Sequence, residues 1–333
     1  MSKKLLVCIL VVGCFFMTGC FKKGQKDIVK DFAKKIEKSK GYHLTGNLEI
    51  VNNEETYRYA VDVSSGSNER FRVSLKNKTN NHEQIILRNN EGVYVLTPSL
   101  NKSFKFQSEW PYNNSQSYLL QTLLQDIKND NKRTFKETKD GYEFVTAVEY
   151  SSNKELVKQV IIMDKNLNVK EVNVQNKDGK TQIKMQFTKI DMKASFEDNY
   201  FDLNENMQTA VVDENVKTVS KIEDIIYPMY IPENTKLTSH DTMKTENGER
   251  IILTFSGEKP FLMVQEVSGK ASAMTTVPIY GEPLFVGDTI GAMTDSSITW
   301  ISDGIEYYVV SDTMNQEELL NVVNSVSVMP IGK

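Results

Sequence analysis

From Tyr42 onward, apolar and polar side chains alternate in run after run, and a period of two is compatible with little besides half-buried antiparallel strands. Residues 42–50, 57–63 and 71–75 alternate cleanly, and further strands are suggested at 84–88, 93–97 and 103–106. Asn52-Asn53 and Asn89-Asn90-Glu91-Gly92 punctuate the runs as hairpin turns. After a break the strands resume at 142–150, 157–164, 169–176 and 182–189, separated by Asp140-Gly141, Asp164-Lys165-Asn166 and Asp178-Gly179. Connections this short join antiparallel neighbours.

The helical period is confined to a few segments. Ile28, Phe32 and Ile36 recur at every fourth position, with Val29 and Ala33 beside them and lysines opposite, so residues 25–40 read as an amphipathic helix stopped at Gly41. Trp110-Pro111-Tyr112 interrupts the strands and leads into a second helix, 115–128, with Tyr118, Leu119, Leu123 and Ile127 on its apolar side. Phe201-Asp202-Leu203 closes this part. A polar, aperiodic stretch from Asn204 to Lys217 follows. Beyond it come a short helix at 220–226, the extended Met229-Tyr230-Ile231 between Pro228 and Pro232, and strands at 236–244, 250–256, 261–267, 298–302 and 307–310. Asn247-Gly248 and Asp303-Gly304 mark their turns. Asn315, with Glu318 three positions on, opens a last helix that carries Leu319, Leu320, Val322, Val323 and Val326. The fold class is α+β. The expected organisation is a first domain over 20–205, a linker over 206–219, where proteolysis should separate the halves, and a smaller α+β domain over 220–333.

The N-terminus is an address. Lys3 and Lys4 precede an apolar run over 5–17, too short for the ~20 residues a membrane-spanning helix needs. It has the length of a signal-peptide core. The run ends in Met17-Thr18-Gly19-Cys20, which resembles a bacterial lipobox, with Met17 where Leu is usual. Cleavage between Gly19 and Cys20, with a diacylglyceryl group on the Cys20 sulfur, makes residues 1–19 a lipoprotein signal peptide; the competing reading is an uncleaved anchor. Residues 21–40 carry eight lysines against three acids, and 206–333 carry 8 basic and 18 acidic side chains. The lysines therefore face either anionic head groups beside the anchor or simply solvent.

Composition excludes several chemistries. The cysteines are Cys8, Cys14 and Cys20, and His43, His82 and His240 are far apart, so neither a disulfide framework nor a zinc cluster is expected after the leader. A net charge of −4 does not suit a nucleic-acid binder that relies on overall charge. Ser99…Lys102 and Ser151…Lys154 match a Ser-x-x-Lys pattern, but fall in turns and lack a Lys-Thr-Gly partner. The stretch from Asp164 to Asn168 opens like a calcium loop, but Val169 stands where glycine must turn. No cofactor, no metal and no catalysis are expected. Five aromatics, Phe104, Phe106, Trp110, Tyr112 and Tyr118, fall within fifteen residues at the crossing from strand to helix. They either pack the helix on the sheet or line a binding mouth.

The order helix, strands, Trp-Pro segment, helix, long strands resembles the LolA/LolB/RseB-like superfamily. The hairpin text from Arg88 through Gly92-Val93-Tyr94-Val95-Leu96-Thr97-Pro98 to Phe106 carries the likeness, with Trp110-Pro111-Tyr112 and Tyr118-Leu119-Leu120 after it. Within the superfamily it is similar to the firmicute YdcC and GerS-related germination lipoproteins, over about 25–205. The C-terminal half, by Ile298-Thr299-Trp300, Asp303-Gly304 and the last helix, is similar to a small domain found in such lipoproteins. The resemblance implies a LolA-like antiparallel half-barrel covered by helices, with an apolar concave face. It also implies a non-enzymatic lipoprotein on the extracytoplasmic face of the cell membrane, or in the space between forespore membranes. Such a chain would bind a protein partner, for instance a cortex or cell-wall hydrolase, in sporulation or germination. Two alternatives stay open: a carrier that takes an acyl chain on the concave face, and an envelope-stress sensor resembling the anti-sigma regulators. A chain that is itself lipidated does not diffuse as a soluble shuttle.

Overall fold

The computed structural model describes residues 24–326, apart from 53–54, 109, 112–113, 152, 210–220, 247, 270 and 272. Gly19, Cys20 and the leader, and Tyr112, lie outside the described residues.

Helix α1 (Gln25–Lys38) leads into six strands: β1 (Tyr42–Asn52), β2 (Glu55–Ser65), β3 (Phe71–Asn77), β4 (Glu83–Asn89), β5 (Gly92–Thr97) and β6 (Lys102–Phe106). Helix α2 (Leu120–Asn129) separates them from β7 (Thr134–Glu137), β8 (Gly141–Ala147), β9 (Leu156–Asp164), β10 (Val169–Asn176) and β11 (Thr181–Asp191). β1 pairs with β2 on one side and β11 on the other, fusing the two meanders into one sheet. Its pairing with β11 carries a bulge at Thr45/Gly46, where a Cβ on Gly46 would stand 2.3 Å from the Gln186 carbonyl. Glycine is therefore required at the point where the middle of the sheet bends.

The inner face is covered by α1, through Ile28, Phe32 and Ala33, and by α2, through Leu120, Leu123, Leu124 and Ile127. Each such aliphatic or aromatic side chain contributes roughly 1.5–3 kcal/mol when fully buried. The outer face is covered locally. Ile85, Leu87, Tyr94 and Leu96 pack under Phe201 and Met207, from a 3-10 turn (Asp198–Phe201) and helix α3 (Leu203–Thr209). β4 is thus buried on both faces, which explains its unbroken Ile85-Ile86-Leu87.

The second sheet contains β12 (Thr235–Thr245), β13 (Gly248–Gly257), β14 (Phe261–Val267), β16 (Glu282–Val286), β17 (Thr289–Met293), β18 (Ser297–Ser302) and β19 (Ile305–Val310), in the order β12-β13-β14-β19-β18-β17-β16. Helix α4 (Gln316–Asn324) packs Leu319, Val322 and Val323 onto it. Its N-terminus is the expected capping box: Asn315 Oδ1 accepts from the Glu318 N–H at 2.9 Å, and Glu318 Oε2 accepts from the Asn315 N–H at 3.0 Å. The strand between β14 and β16, β15 (Thr275–Ile279), does not join this sheet. It pairs parallel with β6 and forms the edge of the first, which has twelve strands.

The sequence reading departs from the structure in four places. α2 starts at Leu120 rather than 115, because Ser115 N–H donates to the Glu149 carbonyl at 2.7 Å and Ser115 Oγ accepts the Glu149 N–H at 3.0 Å. No helix forms at 221–226. The backbone groups of Ile226 are instead taken by the side chain of Gln265, N–H to Oε1 at 3.0 Å and Nε2 to carbonyl at 2.6 Å. Residues 203–209 form α3, which takes up the start of the stretch read as polar and aperiodic from Asn204. Strands β7, β15, β16 and β17 were not expected. β15 and β16 carry Pro278 and Pro283, which tolerate sheet only at its edges, and both strands are edges. β17 is buried at every position and so shows no alternation.

Candidate functional site

The strand-to-helix crossing is held by side chains that bond its backbone. Arg88 Nη1, from β4, donates to the Trp110 carbonyl at 2.8 Å, and Trp110 N–H donates to Ser108 Oγ at 3.3 Å. This sets the indole against the inner face, 5.9 Å from the Phe71 ring in an edge-on arrangement. Trp110 and Tyr118 are each only 2% exposed. Phe104 and Phe106, on β6, lie in the same core with their rings 6.5 Å apart.

A cavity of about 130 Å³ remains where the two sheets and α4 meet. Leu48 and Ile50 of β1, Ile86 of β4, Trp110, Tyr118 and Tyr150 line it from the first sheet's side; Phe285, Ile290 and Leu320 close it from the other. The structure thus brings Trp110 and Tyr118 together on one wall, while Phe104 and Phe106 pack away from it. Phe285 and Ile290 had no signal in the sequence, because β16 and β17 lack a period and nothing local says that Ile290 faces β4; Leu320 was legible only as part of the last helix's apolar face. An apolar cavity of roughly 150 Å³ accepts a benzene-sized ligand. This one has room for a ring or a short branched group and not for a long acyl chain.

Beneath Tyr118, the Asp126 carboxyl is pushed up to about 6 by burial; hydrogen bonds from Ser115 and from Gln159 Nε2 (2.7 Å) oppose the shift, and the charge of Glu149 adds to it. Burial also holds the Tyr118 and Tyr150 hydroxyls above the usual tyrosine value.

The sequence motifs with a chemical alternative are engaged structurally. Lys102 Nζ binds Glu306 Oε2 at 2.8 Å and Ser268 Oγ at 2.9 Å, which commits it to the second half rather than to Ser99. Asp164 caps its own hairpin turn, its carboxylate accepting from the Asn166 and Asn168 N–H groups at 2.9 and 2.8 Å. Among the described residues no group of three or more His, Cys, Asp or Glu side chains is placed to hold a metal ion, and no helix is long and apolar enough to cross a membrane.

No family model matches the chain. It is similar to the sporulation protein YdcC of Bacillus subtilis (strain 168), with 36% identity over 320 residues that cover 95% of this chain and 94% of that protein. Among solved structures it is similar to a chain of the Pseudomonas aeruginosa MucA/MucB complex, with 14% identity, 92% of this chain and 100% of that chain covered, and a TM-score of 0.33. It is also similar to a chain in the structure of the CwlD amidase from Clostridioides difficile in complex with the GerS lipoprotein, with 15% identity, 53% and 98% coverage, and a TM-score of 0.31.

Proposed function

The chain belongs to the family of the sporulation protein YdcC, and from that premise we propose that it is a non-enzymatic envelope lipoprotein, anchored through Cys20, whose folded part binds a protein partner in sporulation or germination. The observation that carries this reading over the acyl carrier is the filled inner face. Trp110, Tyr118, Leu123, Ile290 and Ala292 occupy the space an acyl chain would need, and what remains is about 130 Å³. A face plugged by its own side chains is a rigid scaffold, and rigid scaffolds present surfaces. Partner chemistry of the cell-wall-hydrolase type, and a location on the extracytoplasmic face, belong to the same proposal.

The test is affinity purification of the lipidated chain from sporulating cells, with protein and lipid analysed in one sample. The expected result is a stoichiometric protein partner and, beyond the anchor itself, no bound lipid. One acyl lipid per chain that survives purification, without a partner, would transfer the reading to the carrier.

A further inference from the structure

No aspartate, glutamate, lysine, arginine or histidine among the described residues lines the cavity where the two sheets and α4 meet, although the first four make up 25% of the chain. A charged ligand would lose its hydration there and find no counter-charge, so the chemistry selects a neutral one. Most of the wall is apolar, formed by Leu48, Ile50, Ile86, Phe285, Ile290 and Leu320.

The rest of the wall carries polar groups that the protein leaves unused. Gln116, Ser117 and Tyr118 follow one another just before α2, line the cavity, and are only 8%, 2% and 2% exposed. Yet the Gln116 carboxamide and the Ser117 and Tyr118 hydroxyls have no hydrogen-bond partner among the described residues. Gln116 bonds through its backbone instead, its carbonyl accepting from Thr122 Oγ1 at 2.9 Å and from the Leu119 N–H at 3.4 Å. The three side-chain groups stay accessible, unlike the sealed and unpartnered Thr146 Oγ1 and Gln159 Oε1, and in side chains this buried the accessible surface is that of the cavity they line. Buried polar groups are otherwise almost always paired. Three unpaired ones bordering one apolar space provide for the polar end of a ligand.

Size selects among neutral ligands, and about 130 Å³ is the class of cavity that holds a benzene-sized ring. A sugar ring would set hydroxyls against Leu48, Ile50 and Ile86. A plain hydrocarbon would shut Gln116, Ser117 and Tyr118 off from any partner. We propose that the cavity binds an uncharged phenol-type group, its ring among Leu48, Ile50, Ile86 and Phe285 and its hydroxyl on Gln116, Ser117 and Tyr118. Half-buried Val51, Asn52 and Gln182 and exposed Asn153 form the mouth through which the ring enters. The group comes from a free phenolic compound or from a tyrosine of a protein segment. In the second case the inference rests on the partner reading above, and titration with defined probes is decided independently of affinity capture.

The experiment is ligand-observed saturation-transfer NMR on the full chain in mild detergent, corrected against detergent alone. The probes are 4-methylphenol, toluene, acetyl-Gly-Tyr-Gly-amide and acetyl-Gly-Phe-Gly-amide. 4-Methylphenol should bind about tenfold or more tighter than toluene, because the analogue without the hydroxyl leaves the buried polar groups unpaired. A tyrosine peptide that binds at least as tightly as 4-methylphenol, and better than the phenylalanine peptide, would assign a protein segment; binding of 4-methylphenol alone would assign a free phenolic compound. Ser117→Ala and Tyr118→Phe should each weaken 4-methylphenol about threefold or more, with the melting temperature unchanged or raised, since each removes a hydroxyl that the folded chain leaves unpartnered. The comparison of 4-methylphenol with toluene on the wild-type chain stands even where a variant fails to fold. No saturation transfer above the detergent blank from either phenol, equal binding of toluene, or affinities unmoved in every folded variant would each overturn the proposal.

Discussion

The side-chain amide of Gln84 takes both backbone groups of Ile290: its Oε1 accepts the Ile290 N–H at 2.6 Å and its Nε2 donates to the Ile290 carbonyl at 3.1 Å. A glutamine of β4 thereby behaves as a strand partner for β17, two hundred residues further along the chain. Thr289 Oγ1 donates to the same Oε1 at 2.9 Å. Gln84 is 4% exposed, so these bonds have no competition from water.

Gln84→Leu should therefore be severe despite its similar size. It leaves the Ile290 N–H and carbonyl buried and unpaired, at roughly 1–3 kcal/mol each. Urea denaturation should show a loss of about 2–5 kcal/mol, with amide exchange at 289–293 accelerated first. A loss well under 1 kcal/mol would mean that water or another side chain takes over both bonds.

Trp110 is a packing residue by its burial. Trp110→Ala should cost about 3–5 kcal/mol, and the fraction that stays folded should keep its partner. Melting and pull-down on the same variant separate the two roles. A variant that melts normally but no longer captures the partner would return Trp110 to the binding surface.

Cys20→Ala should move the protein from the membrane fraction to the soluble one. The proposed diacylglyceryl group on Cys20 would supply two chains, whereas one chain alone binds only marginally. Fractionation decides the matter: a Cys20→Ala protein of mature size that stays membrane-bound would show that another element anchors it.

Cleavage in the polar stretch around Lys217 should not release separate halves. The parallel pairing of β15 with β6 and the Gln84–Ile290 bonds hold the two pieces across the nick. Trypsin-nicked protein should elute as one species and come apart only in denaturant. Two species on native gel filtration would indicate that each sheet is self-sufficient.

Asp126 makes stability fall as pH rises. Its folded carboxyl titrates at about 6 and the unfolded one near 3.9, so between those values the folded state holds the extra proton. The contribution is fully present below about pH 4 and lost as pH rises through about 6, to an extent on the order of 3 kcal/mol. Asp126→Asn, which keeps an oxygen for Gln159 Nε2, should flatten that slope and stabilise the protein at pH 7. Urea midpoints at pH 4.5 and 7, compared with wild type, would contradict this if the variant were the less stable at pH 7.

Local pattern determined most of the elements. Alternation marked β1, β2 and β3, and apolar runs between turn residues marked seven more of the eleven strands from β1 to β11; an i, i+4 stripe marked α1, and Asn315 with Glu318 marked the start of α4. The lipobox reading of Thr18-Gly19-Cys20 rests on sequence alone and lies outside the described residues. What sequence could not contain is which buried faces meet. β17 is apolar on both sides and β15 and β16 carry prolines, so each lacked a signature until its neighbours were known. Gln84, Gln265 and Ser115 look like ordinary polar residues in sequence. Each is buried opposite a backbone that needs hydrogen bonds, and only the assembled structure supplies that need.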